Sequence, residues 1–157
     1  MSVEVSYRLA REEDYPIAME FYTLLNKHFQ KTGYLLPSPE NIGQLWLDSF
    51  VRTLDRFSIM YVAEVEGRVV GFILARIKRL PPYMGGVMVG ELSDMWIEEE
   101  YRRLGIGKQL SVLCLDWLKE QKVHSVEIQV LVGNDASWKL YENFGFVLDY
   151  RHARLML

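Results

Sequence analysis

Cysteine is nearly missing from this chain. Cys114 stands alone among 157 residues, which excludes an intrachain disulfide and leaves any metal site to other ligands. The histidines, His28, His124 and His152, do not fall at metal-ligand spacing, so no metal is expected. A surplus of positive charge is missing as well. With 18 Lys and Arg against 21 Asp and Glu, the net charge of −3 argues against a nucleic-acid-coating protein. No apolar run approaches the roughly 20 residues that a membrane span needs, so no membrane partner is expected. The opening MSVEVSYRLA lacks the basic-then-apolar order of a secretion signal, and a reducing cytoplasm is the expected setting. What is present is ordinary for a folded chain: 50% hydrophobic and 25% charged residues, enough for one domain over residues 1–157 with a buried core.

The periodicity orders the elements. Val3, Val5, Tyr7 and Leu9 alternate with polar residues and predict a strand. Ile17, Phe21, Leu24, Leu25 and Phe29 recur at three and four, predicting a helix that Gly33 stops. Ser38-Pro39-Glu40 reads as the start of a second helix carrying Ile42, Leu45, Trp46, Phe50 and Leu54. SIMYVAEV and RVVGFILARIKR flank Glu66-Gly67, a hairpin signal. The loop Leu80 to Gly86, with Tyr83 at its centre, precedes a long strand from Val87 to Ile97. A helix then presents Leu110, Leu113, Cys114, Trp117 and Leu118 on one face. VHSVEIQVLV predicts another strand, Asn134-Asp135 a short helix, and Phe146 to Leu157 a final strand. This order predicts a single α/β layer domain with a mixed sheet.

The helix after the long strand opens with two glycines, in YRRLGIGKQL. Each costs about 1 kcal/mol relative to alanine inside a helix. The first N–H groups of a helix are unpaired and its N-terminus carries roughly half a positive charge, so a strand entering such a terminus is suited to an anion. Arg102, Arg103 and Lys108 add cations, and a diphosphate ligand would use all of these features. Gly105 and Gly107 equally suit a tight strand-to-helix turn, and spacing alone does not separate the two readings. The Walker and Rossmann spacings both fail here.

DMWIEEEYRRLGIGKQL resembles motif A of the GNAT superfamily of acyl-CoA-dependent N-acetyltransferases, whose R-x-x-G-x-G core is matched by Arg102, Gly105 and Gly107. GNDASWKLYENFGF resembles motif B, with Asn134, Ser137, Leu140, Tyr141, Glu142, Gly145 and Phe146 in register. The two blocks and the elements before them extend the resemblance over nearly the whole chain. Arg103 departs from the glycine usual after the motif's arginine, and Glu99 from a frequent proline. The resemblance implies a mixed, mostly antiparallel sheet splayed between its fourth and fifth strands and flanked by helices. It also implies acetyl-CoA as co-substrate, with the diphosphate on the amides of Arg102, Arg103, Leu104, Gly105, Ile106, Gly107 and Lys108. Backbone N–H groups of Met95, Trp96 and Ile97 would meet the thioester and pantetheine arm, with Asn134, Ser137 and Tyr141 opposite.

Moving an acyl group from a thioester to an amine requires a base, an oxyanion donor and an acid for the leaving thiolate. Tyr141, whose phenol carries its proton at neutral pH, is the expected acid. Glu91 and Asp94 are the candidate bases. By simple alternation Glu91, Ser93, Met95 and Ile97 share one face of their strand and Asp94 and Trp96 the other; the resemblance implies Glu91, where some family members place a catalytic glutamate, ahead of Asp94, where many others carry an acidic residue. The acceptor would meet the aromatic stretch around Phe29 and Tyr34, Trp46, and the loop at Tyr83. The acidic Glu91, Asp94 and Glu98 to Glu100 favour a cationic amine. The expected acceptor is a primary amine on a small molecule or on a protein terminus or lysine. Two other readings stand beside this one: a CoA-binding module without catalysis, and a domain gripping a different diphosphate. The apolar last strand is a candidate homodimer contact, and Cys114 reads as core.

Overall fold

Alternating and helical periods sort the described residues into five strands and four α-helices, and the strands hydrogen-bond into one sheet in the order of the sequence. The computed structural model describes residues 2–157. β1 (Ser6–Leu9) leads into α1 (Tyr15–Thr32) and α2 (Ile42–Asp48). β2 (Ser58–Val65) and β3 (Arg68–Arg79) form the hairpin, and β4 (Met88–Ile97) follows. α3 (Ile106–Glu120), β5 (Ser125–Ile128) and α4 (Asp135–Asn143) complete the order. β1 to β4 pair antiparallel, while β5 lies parallel to β4, as a strand returning over a crossover helix must.

Each helix buries the face its period dictates. α3 places Ile106, Leu110, Cys114 and Leu118 against one side of the sheet, all buried, with Ile73, Ala75 and Leu92 beneath them. α1 and α2 cover the other side, where Ala18, Phe21, Trp46, Leu47 and Phe50 pack on Met60, Val62, Phe72 and Leu74. Each of these large side chains, once out of water, contributes about 1.5–3 kcal/mol of transfer free energy. Arg8 of β1 fixes the start of α1. It donates to both carboxylate oxygens of Asp14, at 2.7 and 2.9 Å, and this pairing holds the Asp14 carboxyl below its ordinary pKa.

Three expectations need correcting. The second helix begins at Ile42 rather than near Ser38. Ser38 instead donates its hydroxyl to the buried Asn26 at 2.6 Å, and that bond holds the preceding loop extended. A separate 3-10 turn at Val51–Thr53 carries the chain on from α2. The final strand is absent as well: residues 146–157 form no ladder, and Val147, Leu148, Tyr150 and Leu155 are exposed. Apolar alternation supplies one face of a strand but does not secure a partner, and these residues do not pair with the outer edge of β5. Finally, alternation along β4 breaks. Asp94 pairs with Leu74 but Leu92 pairs with Ala75, so Ser93 is an extra residue bulged out of the ladder. Glu91, opposite Arg76, therefore shares the α1/α2 face with Asp94 and Trp96, while Leu92, Met95 and Ile97 share the α3 face.

Candidate functional site

β5 follows β4 for only four residue pairs, Val89–Ser125 to Leu92–Ile128. Beyond Leu92 the two chains part, leaving the β5-side edge of Ser93 to Ile97 without a strand partner. In a strand, alternate N–H groups along such an edge point into the opening. The bulge at Ser93 sits where the parting begins, and the resulting cleft has a cavity volume of about 70 Å³. Leu92 to Met95 form one wall, Ile128 to Leu131 with Asn134, Ser137 and Tyr141 the opposite wall, and Leu25 and Phe29 of α1 the end. Residues assigned from three distant stretches of sequence thus meet in one place.

At the far end of β4 the chain turns into α3. Gly105, with φ of +81°, stands in the left-handed region as the helix N-cap, and the space where its Cβ would lie is open. Gly107 serves a different need, since a Cβ there would lie 3.2 Å from Met95 Cε and 3.3 Å from Ile97 Cδ1. One glycine sets the turn and the other lets the helix end press onto β4. The first α3 hydrogen bond runs from the Gln109 N–H to the Gly105 carbonyl at 3.0 Å. Among the described residues, the N–H groups of residues 103 to 108 have no protein acceptor. Arg103 and Lys108 are exposed beside them. Arg103 adopts φ of +64°, a strained conformation for a residue with a Cβ, at the position where the resembled motif has glycine. Free amides, positive helix end and open space fit a diphosphate.

Not every residue named from the sequence acts as expected. The Arg102 guanidinium turns back over the Trp96 ring, 4.6 Å from its centre, and its Nε donates to the Ile97 carbonyl at 2.8 Å. Its N–H donates to the Glu99 carbonyl at 3.2 Å. Arg102 therefore braces the turn and leaves the cradle to residues 103 to 108. Ile106 is core, so only its amide is available; Leu104 is exposed. Phe29 lines the cleft and tilts against Tyr34, ring centres 6.0 Å apart. Trp46 is buried behind the cleft rather than lining it. Tyr83 is 87% exposed on the 3-10 turn Pro82–Met84 and lies outside the cleft lining, because the loop folds on itself through Gly85 and Gly86 N–H bonds to Pro82 and Pro81.

Burial tunes two candidate reactive groups. Desolvation pushes the Tyr141 phenol up to about 12, against a smaller lowering by the Ser111 hydroxyl. Asp94 is enclosed by protein yet keeps a face on the cleft, and desolvation lifts its carboxyl to about 6. The Trp46 indole N–H, donating at 3.0 Å, and the Arg76 charge restrain that rise, while Glu91 adds to it. Glu91 is held otherwise: Lys78 pairs with it at 3.4 Å and the Ser93 hydroxyl donates at 3.1 Å. Sequence reasoning missed Ser93, Tyr22, Arg76 and Ser111, none of which carries a motif signal. Cys114 is buried core as expected, and burial raises its thiol pKa.

A sheet parted between parallel β4 and β5, with an unpaired helix end beyond the parting, has the shape for an extended ligand that carries a diphosphate. The chain belongs to the acetyltransferase (GNAT) family, whose model matches residues 11–146. It is 35% identical over 120 residues to an N-alpha-acetyltransferase of Sulfurisphaera tokodaii, covering 71% of this chain and 68% of that protein. It is 30% identical over 95 residues to a mycothiol acetyltransferase of Acidimicrobium ferrooxidans, covering 60% of this chain but only 30% of the relative. In three dimensions it resembles a predicted acetyltransferase from Clostridium acetobutylicum solved with acetyl-CoA, at TM-score 0.78 and 17% identity, over 98% of this chain and 96% of that one. A mutant protein from Bacillus halodurans shares the fold at TM-score 0.80 and 20% identity, covering 97% and 99%.

Proposed function

We propose that the chain transfers an acetyl group from acetyl-CoA to a primary amine by direct attack, with both substrates bound at once. The observation that carries this reading is that Asp94 and Tyr141 line the same cleft, at the point where β4 leaves β5. Acetyl-CoA, when bound, supplies the thioester whose carbonyl the amine attacks. The amides of residues 103 to 108 hold its diphosphate, and the open edge of Ser93 to Ile97 offers donors to the pantetheine arm and thioester oxygen. Asn134 and Ser137 bound the arm from the β5 side.

Asp94 is the base in this reading, displacing Glu91. With a pKa of about 6 it is ionised at pH 7 while keeping nearly the highest basicity such an ionised group can have there. Glu91 lies outside the cleft lining and is engaged by Lys78 and Ser93. Tyr141, protonated at neutral pH, donates to the departing thiolate. Asp94 and Tyr141 thus stand on opposite walls, one receiving a proton from the amine and the other giving one to sulfur.

For the acceptor we favour the α-amine of a peptide over a free small molecule. The similarity to N-alpha-acetyltransferases supports this choice, and so does the entrance beside Phe29 and Tyr34, which offers apolar surface to a following side chain. Acetyl-CoA turnover measured across peptides, lysine analogues and small amines tests it. Peptide-specific thiol release supports the α-amine, whereas turnover confined to small amines replaces it. Binding of CoA without turnover of any amine would instead favour a non-catalytic CoA module. The exposed apolar residues Val147, Leu148, Tyr150 and Leu155 suit a contact with a second copy, and light scattering reads that out.

A further inference from the structure

We infer that Trp46, buried in α2 and outside the cleft, is a positioning residue that aims the Asp94 carboxylate and keeps it ionised. The inference rests on the reading of Asp94 as the base. Trp46 Nε1 donates to Asp94 Oδ2 at 3.0 Å, across 48 residues of sequence. The indole itself is locked. Tyr22 of α1 stacks on it, ring centres 4.6 Å apart and 6° from parallel, while Phe50 and Phe72 meet it edge-on at 4.8 and 5.4 Å. A ring held on three sides cannot follow the carboxylate, so the carboxylate must follow the ring.

The groups facing Asp94 come from every neighbouring element. Trp46 reaches it from α2, Tyr22 from α1, Arg76 from β3, Glu91 from β4 itself and Tyr141 from α4. Arg76 supplies attraction at a distance. Its guanidinium rests over the Phe50 ring at 5.2 Å and donates to Ser49 Oγ at 3.2 Å, with no direct bond to Asp94. Trp46 is thus the side chain whose hydrogen bond fixes the direction of the carboxylate among the described residues. A bond donated to the charged form favours it, so the indole offsets part of the penalty of burial. The second oxygen is left for the amine or a water. Because Trp46 rides on α2, a shift of that helix would re-aim the base.

The test joins a pH profile to a spectrum. In Trp46→Phe the ring packing stays but the donor goes. The acid limb of kcat/KM, measured with one acceptor throughout, should move to higher pH. Activity near pH 6 should then fall roughly tenfold while the alkaline plateau changes little. In wild-type protein one indole Nε1–H resonance should titrate with the carboxylate, and that titration should vanish in Asp94→Asn. An unmoved acid limb in Trp46→Phe, or four indole resonances indifferent to pH around 6, overturns the inference. If Trp46→Phe does not fold, the indole titration in wild-type and Asp94→Asn proteins decides alone. A failure of the underlying reading looks different. Asp94→Asn would keep full activity while the indole still titrated in wild type, which removes the base and with it any positioning role.

Discussion

The two ends of the cleft are built from different materials. At the α3 end the groups on offer are backbone amides at a turn set by two glycines, with the exposed Arg103 and Lys108 beside them. At the Asp94 end the proposed acid and base are side chains enclosed by α1, α2 and α4, and the backbone contributes a bulge and the open edge of Ser93 to Ile97. A diphosphate is recognised by charge and by many equivalent donors, which any short stretch in the right conformation provides. Proton transfer needs one acid and one base at tuned pKa values, and tuning requires neighbours from across the fold. Substitutions at the two ends should therefore fail differently.

The largest effect is expected at the side-chain end. Tyr141→Phe should lower kcat by about 10²–10⁴-fold, the range for loss of a general acid. Binding of CoA, followed calorimetrically, should be almost unchanged. If kcat survives, the thiolate leaves without help from Tyr141 and the contrast between the two ends loses its chemical half.

Next comes the cradle. Gly107→Val would drive a branched side chain into Met95 and Ile97, costing about 1–3 kcal/mol of stability and weakening CoA binding. The signature to look for is a raised KM for acetyl-CoA with a smaller change in kcat. The reverse pattern would mean that Gly107 serves the chemistry rather than the grip.

Asp94 should trade stability for function. Its folded-state pKa of about 6 lies above the ordinary 3.8, so the folded state holds the proton more tightly than the unfolded one. Protonated Asp94 carries no burial penalty below pH 3.8. As pH rises through 6 the penalty appears in full, because the folded state must then bury the charge. Asp94→Asn should accordingly raise the melting temperature at pH 7–8, by an amount equivalent to about 3 kcal/mol, and bring little gain at pH 4. The same substitution should abolish the acid limb of the activity profile near pH 6. Equal stabilisation at both pH values would show that charge burial is not its source.

The smallest effect is expected at Arg103. Replacing this residue by glycine relieves a left-handed backbone at φ of +64°, with a gain of about 0.5–1 kcal/mol, read as a melting-temperature rise of about 2–4 °C. Loss of its charge should weaken CoA binding modestly and make it less sensitive to salt.

The amide cradle was legible because its causes are local. Gly105, Gly107 and the cations beside them stand within seven residues, and the strand before and helix after them announce themselves by period. The placement of Tyr141 and Asn134 on one cleft wall agrees with their positions in the resembled motif. Which of Glu91 and Asp94 lines the cleft was not legible. Strict alternation puts Glu91 and Asp94 on opposite faces, and a single bulged residue at Ser93 reverses that for Glu91. Trp46 read as an aromatic near the acceptor because a sequence records its apolar face, whereas its indole N–H finds Asp94 only once α2 has packed. The last strand misread the other way, since residues 146–157 have the pattern but do not pair with the outer edge of β5.

By itself the sequence determined the element order, the faces that α1 and α3 bury, and the turn that frees six amides, since backbone dihedrals and side-chain period act over a few residues. Tertiary structure alone decided that β4 and β5 part after Leu92, that Ser93 bulges, and that Trp46, Arg76 and Tyr22 surround one carboxylate. The physical reason is range. Desolvation and hydrogen bonding between residues 48 apart depend on which surfaces meet, and no local pattern encodes that meeting.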